Sequence, residues 1–159
     1  MKKLAQKGFT LIEMLVVISI IGILATLVAA NLNSARSRAR DAERKSDMKN
    51  IQTALRIYYN DNGRYPANDG SYQMLACDPA AASCVWGGKW NIGTTVYMQT
   101  LPQDPLSPSH EYRYIMGTSS DSGDTDSYIL QACLENKSDT NGVPAGNWCP
   151  TGVMFQIES

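Results

Sequence analysis

Two groups of residues in this chain have types and spacings that could do chemistry. The first is the run Gly8-Phe9-Thr10-Leu11-Ile12-Glu13, in which one carboxylate stands near the front of an otherwise apolar stretch. A carboxylate inside a membrane-length apolar helix is costly, so such residues are rare and usually functional. If the chain is cut after Gly8, the new amine on Phe9 lies one helical turn from Glu13. The two opposite charges then suit each other and the helix dipole.

The second group consists of four cysteines, all of which lie after the apolar stretch: Cys77, Cys84, Cys133 and Cys149. An even number of cysteines in a chain with an export-type signal favours disulfides formed in an oxidising compartment. Three pairings are open, and proximity in sequence favours Cys77–Cys84 and Cys133–Cys149. Zinc is the alternative, but no CxxC pair and no histidine spacing supports it.

The apolar stretch runs from Phe9 to Ala30, and three lysines precede it: Lys2, Lys3 and Lys7. As a helix, its 22 residues span roughly 33 Å, which is enough to cross a bilayer core. An ordinary secretory signal is the alternative, since Val28-Ala29-Ala30 offers a small-residue cleavage site. Glu13 argues against it, because nothing in signal-peptide function needs a carboxylate at the front of the apolar core.

A helical pattern continues beyond the apolar stretch. Small and apolar residues recur at spacings of three and four, first at Leu32, Ala35, Ala39 and Ala42 and then at Met48, Ile51, Leu55 and Tyr58. Asn62-Gly63 is a plausible helix end, and Tyr65-Pro66 prevents further extension. The pattern predicts one helix of about fifty residues, apolar over 9–30 and amphipathic over 31–62.

Strand signals appear only in the last part of the chain. Alternating side chains predict three strands, within Tyr112–Met116, Tyr128–Leu134 and Val153–Ile157. The segment 67–104 is rich in turn residues and is predicted to be irregular. We therefore expect an α+β fold, with the amphipathic half of the helix packed on an antiparallel sheet of about three strands. Residues 63–159 would form this globular head, with the periodic tyrosines in its core.

The run from Gly8 to Glu13, with the lysines before it, resembles the prepilin signature of type IV pilins and type II secretion pseudopilins. Later stretches are similar to those of major pseudopilins and related small pilins: Asn62-Gly63-Arg64-Tyr65-Pro66, Leu101-Pro102-Gln103-Asp104-Pro105 and Tyr112-Arg113-Tyr114. The resemblance implies a pilin-like fold. It also implies that a prepilin peptidase removes residues 1–8 and methylates the new amine of Phe9.

The same resemblance implies how the chain would work as a structural subunit. Residues 9–30 would span the membrane first and then enter the core of a helical filament. An assembly platform protein and its ATPase would extract the copies, and Glu13 would meet the N-terminal amine of a neighbouring copy. The head would lie outside the cytoplasm, and the filament at the cell surface or in the periplasm. Many pilins have a proline near the middle of this helix; here Gly22 is the only breaker.

Three aspartates in a Ser/Gly-containing loop, Asp121, Asp124 and Asp126, have the oxygen chemistry that calcium prefers. Asp139 and Asn141 in the next loop are a second set. Major pseudopilins are similar in having a calcium site in this C-terminal region, so the resemblance implies calcium as the one candidate cofactor. The EF-hand pattern is absent, and acidic turn residues are usually turn residues alone.

Six basic residues follow the apolar stretch and invite a nucleic-acid interpretation: Arg36, Arg38, Arg40, Arg44, Lys45 and Lys49. Acidic residues interleave with them, and three pairs have helix-pairing separations: Arg40–Glu43, Asp41–Lys45 and Arg44–Asp47. Without the leader lysines the chain has 11 basic and 15 acidic side chains, a sum of −4 that does not suit nucleic acid. We therefore expect a salt-bridged face. Basic residues just after a membrane segment favour the cytoplasmic side, however, and the sequence leaves that conflict open.

No catalytic constellation accompanies these features. His110 is the only histidine, and the chain has no nucleophile elbow, phosphate loop or HExxH motif, so a structural subunit is favoured over an enzyme. Two alternatives stay open: a low-abundance filament-associated pilin that binds DNA or a surface, and a secreted or membrane-anchored domain unrelated to filaments. The sequence does not separate a surface pilus from a secretion pseudopilus.

Prepilin processing makes a testable prediction about the mature N-terminus. The protein recovered from native cells is expected to begin at Phe9 and to carry a methyl group on its amine. Intact mass and N-terminal sequencing measure both properties directly. A chain that begins at Asn31 would instead indicate an ordinary signal peptide and a soluble domain.

Overall fold

The computed structural model describes residues 8–78, 82–117 and 125–159, and within them it contains one α-helix and nine short strands. The helix α1 spans Leu11–Asn62. The strands are β1 Ala67–Asn68, β2 Met74–Cys77, β3 Ala82–Ser83, β4 Trp90–Ile92, β5 Thr95–Met98, β6 Arg113–Met116, β7 Tyr128–Cys133, β8 Val143–Pro144 and β9 Val153–Glu158. The leader lysines and the loop aspartates Asp121 and Asp124 lie outside the described residues.

The helix α1 confirms the predicted long helix and its end point. Its 52 residues run without interruption through Gly22. The helix stops at Asn62 because Gly63 adopts a left-handed φ of 66°, and the Gly63 N–H closes the last turn on the Tyr59 carbonyl at 2.8 Å. The chain divides into two compact units, Met1–Ser37 and Arg38–Ser159, so α1 contributes its first part to one unit and its remainder to the other.

The main sheet is antiparallel, with strand order β6-β7-β9-β8. Tyr114 of β6 pairs with Leu130 of β7, which in turn pairs with Ile157 of β9. These are the three predicted strands, and the expected α+β arrangement is confirmed. The two-residue strand β8 adds a fourth at the far edge, beside β9.

The prediction that residues 67–104 are irregular was wrong. This segment contains β1 to β5, arranged as a three-stranded and a two-stranded antiparallel sheet. The strands are only two to four residues long, too short to show an alternating pattern in the sequence. They are held by tertiary contacts, since the buried indole N–H of Trp90 in β4 donates to the Ala76 carbonyl in β2 at 3.0 Å.

The hydrophobic core of the second unit lies between α1 and the sheets. Met48, Ile51 and Leu55 of the helix are fully buried against aromatic side chains of β6 and β7. Tyr114 and Tyr128 stack with ring centroids 6.2 Å apart, and both are buried as predicted. Such aromatic pairs supply much of the apolar area that a small head can bury.

A buried ion cluster, centred on Arg44 of α1, joins three parts of this unit. The Arg44 side chain is 0% exposed. Its Nε and Nη2 donate to both oxygens of Asp104, at 2.8 and 2.9 Å, and its Nη1 donates to Asp41 and Glu135, at 2.7 and 2.9 Å. Arg40 adds a second fork to Glu135, at 2.7 and 2.6 Å. One network of ion pairs therefore connects the helix, the loop before Asp104 and the end of β7.

The predicted helix pairs were wrong, although a salt-bridged face does form. Among the described residues, neither Arg40–Glu43, Asp41–Lys45 nor Arg44–Asp47 is an ion pair. One helix-spaced pair does form, between Asp41 and Arg44. The other partners lie outside the helix: Lys45 reaches Asp139 at 2.6 Å, and Asp47 accepts the Tyr112 hydroxyl at 2.7 Å. Tertiary contacts bury these side chains more deeply than pairing along an exposed helix face allows.

The cluster also explains the charge state of its members. Burial alone lowers the pKa of Arg44, but its hydrogen bonds to Asp104, Glu135 and Asp41 outweigh that effect and raise the pKa above its ordinary value. The hydrogen bond from Arg40, reinforced by Arg44, lowers the pKa of Glu135 from 4.5 to about 2. Arg44 and Glu135 therefore stay ionised at neutral pH.

Loss of the central cation is expected to destabilise the head strongly. Arg44→Met would leave Asp104 and Asp41 buried without a counter-charge, and breaking a buried pair in this way costs about 3–5 kcal/mol. Urea unfolding of the mature chain in detergent measures the change. Arg38→Met, on an exposed position of the same helix, is the matched control and should change the free energy of unfolding by less than about 0.5 kcal/mol. Equal effects of the two variants would contradict the role given to the cluster.

The lowered pKa of Glu135 predicts a particular pH dependence. The folded carboxyl titrates near 2 and the unfolded one near 4.5, so its stabilising contribution is complete above pH 4.5 and is lost as the pH falls towards 2. The pKa change alone implies a loss of roughly 3 kcal/mol, and solvent screening at this partly exposed carboxylate reduces it to on the order of 2 kcal/mol. Glu135→Gln should flatten this part of the stability profile, whereas Glu43→Gln, at an exposed position, should retain it. An unchanged slope in the Glu135 variant would show that other groups govern acid unfolding.

Candidate functional site

The start of α1 is organised by Thr10 and Glu13, which form a reciprocal capping box. Thr10 is the residue before the first helical position, and its hydroxyl accepts the Glu13 N–H at 3.3 Å. In return, Glu13 Oε2 accepts the Thr10 N–H at 2.8 Å and the Thr10 hydroxyl at 2.7 Å. Two backbone donors that a helix start leaves unsatisfied are thus bonded.

This geometry gives Glu13 a local role that the sequence analysis missed. The Thr-x-x-Glu spacing of a capping box is present in the sequence and would have revealed it. All the hydrogen bonds that Glu13 accepts from described residues fall on Oε2, so Oε1 remains available to another donor. Phe9, the residue after the predicted cleavage site, is 79% exposed and lies next to this pair in the chain.

The apolar segment that follows exposes all of its side chains from Phe9 to Val28. Its polar members are satisfied internally, because the Ser19 hydroxyl donates to the Leu15 carbonyl at 2.6 Å and the Thr26 hydroxyl to the Ile23 carbonyl at 2.8 Å. By length and composition, α1 is the one described helix that could cross a membrane. Exposed apolar surface of this extent needs a cover of lipid or protein.

The four cysteines lie in the head and are joined in two disulfides. Cys77 of β2 pairs with Cys84, and Cys133 of β7 pairs with Cys149. These are the pairs that proximity in sequence favours. All four sulfurs lie in buried residues, and the second bond closes the loop that carries β8 and Trp148.

The expected calcium ligands lie partly outside the described residues. Of the three loop aspartates only Asp126 is described, and one of its oxygens accepts the Tyr59 hydroxyl at 3.4 Å. In the second set, Asp139 is engaged by Lys45 at 2.6 Å and caps the turn at Asn141. Within residues 8–78, 82–117 and 125–159, no three His, Cys, Asp or Glu side chains come together as a metal site.

Comparisons with known proteins agree on two regions of the chain. The family model described as type II secretion system (T2SS), protein G, matches residues 31–142. The model of the prokaryotic N-terminal methylation motif matches residues 3–29, which include Gly8, Phe9 and Glu13. The two matches together cover the apolar segment, the rest of α1 and most of the head.

Curated relatives match over nearly the full length. The chain is 32% identical over 149 residues to a type II secretion system core protein G of Vibrio cholerae, covering 93% of this chain and 96% of the relative. It is 34% identical over 148 residues to the protein of the same name from Pseudomonas aeruginosa, covering 93% and 99%. The Aeromonas hydrophila protein of that name is 40% identical over 109 residues, covering 66% and 71%. No solved structure matches the chain.

Proposed function

Since the chain belongs to the type II secretion system protein G family, we propose that it works by assembling with copies of itself into a periplasmic pseudopilus. It is a pseudopilin, a structural subunit with an N-terminal methylation signal. This family assignment favours the secretion pseudopilus over a surface pilus. It also removes the alternative of a secreted domain unrelated to filaments.

One observation carries the assembly mechanism: an exposed apolar segment, Phe9 to Val28, whose single charge is the capped carboxylate of Glu13. Lipid covers this surface in the precursor, and the same segments of neighbouring copies cover it in the filament. The hydrophobic gain on leaving lipid is small, so close packing between helices and polar contacts must drive association. Glu13 is the obvious source of a polar contact.

Processing supplies the partner for Glu13. A prepilin peptidase would cut between Gly8 and Phe9 and leave a charged amine on Phe9. The capping box needs only Thr10 and Glu13, so it survives the cut and keeps the carboxylate in a fixed orientation. The unbonded Oε1 would then accept the Phe9 amine of a neighbouring copy. Pairing these two charges removes the penalty that each carries alone.

The proposed assembly also requires partners in the membrane. A membrane platform protein and its ATPase would extract the processed chain, with the head outside the cytoplasm. The disulfides favour this location, because they form and persist in an oxidising compartment. A low-abundance binding pilin is the second candidate. The relatives are named core proteins, which favours a major subunit over a low-abundance one. The ratio of this chain to other subunits in purified filaments would test this choice.

We further propose calcium as a ligand of the loop that contains Asp121, Asp124 and Asp126. Carboxylates suit calcium, and the head is acidic apart from its internal ion pairs. Calcium is expected to raise the melting temperature of the mature chain in detergent, and EGTA to reverse the rise. Asp124→Ala should abolish the response, whereas Asp78→Ala, in a different loop, should retain it. An identical melting temperature with calcium and with EGTA would argue against the site.

Replacement of Glu13 tests the assembly mechanism directly. Glu13→Val is expected to insert into the membrane normally but to lower filament yield at least about tenfold, because the amine of a neighbour loses its counter-charge. Ser19→Val is the matched control, since that hydroxyl bonds only its own helix, and it should assemble normally. Membrane fractionation and quantification of sheared filaments separate the two steps. Normal yield from the Glu13 variant would refute this role.

A further inference from the structure

Arg113, at the start of β6, is held between two aromatic rings. Its guanidinium carbon lies 4.4 Å from the ring centroid of Tyr72 and 4.2 Å from that of Trp148. The guanidinium is therefore in cation–π contact with both rings. Its N–H groups remain able to bind another group. A planar fork of this kind matches a carboxylate, which accepts two parallel hydrogen bonds.

The fork has no partner within the described part of the chain. Arg113 makes no side-chain hydrogen bond or ion pair with a described residue, whereas Arg40, Arg44 and Lys45 are each neutralised by carboxylates of the same head. The one acid among the lining residues is Glu111, which lies two positions before Arg113 and is not within ion-pair distance of it. Arg113 is thus oriented by its neighbours but not neutralised by them.

The backbone at Tyr72 is strained in a way that serves this arrangement. Tyr72 has a φ of 61°, the only positive φ of a non-glycine among the described residues. A bulky residue is rarely found in this region, and such outliers cluster at functional sites. Asp69 holds the turn by accepting the N–H groups of Ser71 and Gln73, at 2.8 and 2.9 Å. The result is a tyrosine ring placed on Arg113.

A cavity of about 250 Å³ opens beside this clamp, lined by Ser109, His110, Glu111 and Arg113 together with the two rings. Its volume is below the range of about 300–1,000 Å³ that small-molecule sites occupy. It suits the end of one side chain better than a free ligand. Arg113 is the one permanently charged cation in the lining, and Glu111 is not within ion-pair distance of it. The N–H groups of Arg113 therefore favour an anionic partner.

We propose that the clamp of Tyr72, Arg113 and Trp148 is a receptor for a carboxylate side chain from a second copy of this chain. The proposal rests on the pseudopilus function, which brings copies side by side. Each mature copy carries 15 acidic side chains against 11 basic ones, so carboxylates are in excess along the filament. A clamped guanidinium loses little freedom on binding one of them, which strengthens the contact between heads.

Cross-linking in assembled filaments identifies the occupant. Arg113→Lys keeps the charge and supplies an amine that a carbodiimide joins to an adjacent carboxylate. Filaments formed from a mixed pool of light-nitrogen and heavy-nitrogen chains then reveal by mass spectrometry whether the linked peptides come from different copies. We expect Lys at this position to link between copies in filaments and not in detergent-dispersed chains. Lys137, which is exposed, serves as the internal control for reagent access.

Every other pattern of links counts against the proposal. A link only within one copy, to Glu111 for example, would make the clamp an internal contact. A link to a different protein would refute the second copy as the source. No link, while Lys137 reacts, would refute a carboxylate near the clamp.

Filament yield provides a second test that does not need the lysine variant. Arg113→Gln should lower the filament yield about tenfold while circular dichroism and disulfide content stay normal. Trp148→Leu, which removes one of the two aromatic rings from the clamp, should lower the filament yield less. Arg56→Gln, on an exposed turn of α1, is the matched control. Normal yield from Arg113→Gln would overturn the receptor and leave the pseudopilus function intact. Failure of the wild-type chain to form filaments would instead count against the function itself.

Discussion

The buried ion cluster of Arg44, Asp41, Asp104 and Glu135 is the constraint on which the head depends. Removing these charges from water is expensive, and a well-packed apolar set of the same shape would often be at least as stable. What the cluster adds is geometry. Asp41 also accepts the backbone N–H groups of Glu135 and Asn136, at 2.9 and 2.8 Å, so backbone as well as side-chain hydrogen bonds hold the residues after β7 to the helix. Apolar contacts are not directional, so they restrict the position of β7 along the helix less than the bidentate Arg–carboxylate hydrogen bonds do.

This fixed attachment matters because α1 has two tasks. Its second part packs against the sheets of the head, and its first part is in contact with lipid and later with neighbouring copies in a filament. Arg40, Arg44 and Lys45 all follow the apolar segment, where unpaired basic residues favour the cytoplasmic side of a membrane. In the folded head their charges are matched by Glu135, Asp104 and Asp139. Three of the six basic residues that conflicted with an external head are thus part of that head's own packing, while Arg36, Arg38 and Lys49 are exposed.

The sequence predicted the elements whose signals are local. The long helix and its end at Asn62 follow from periodicity and from Gly63, and the three main strands follow from alternation. Two of the three partners of Arg44 could not be predicted, because Asp104 and Glu135 lie 60 and 91 positions away. The third, Asp41, lies one helical turn away, but helix spacing alone does not distinguish it from Asp47. The short strands β1 to β5 exist only through tertiary pairing. The capping box is a local signal too, because its Thr-x-x-Glu spacing is present in the sequence.

That local role bears on how one carboxylate can serve two environments. In the membrane, an unpaired charge at the start of an apolar helix is costly, and the two bonds from Thr10 to Oε2 reduce the cost without using the other oxygen. Under the assembly mechanism proposed above, a neighbour's amine would approach Oε1 while the helix start stays capped. The first turn of the helix would then not need to unravel when Glu13 gains this partner. Because the apolar segment also lacks a proline and is helical through Gly22, it can pass from lipid to filament without a break inside the segment.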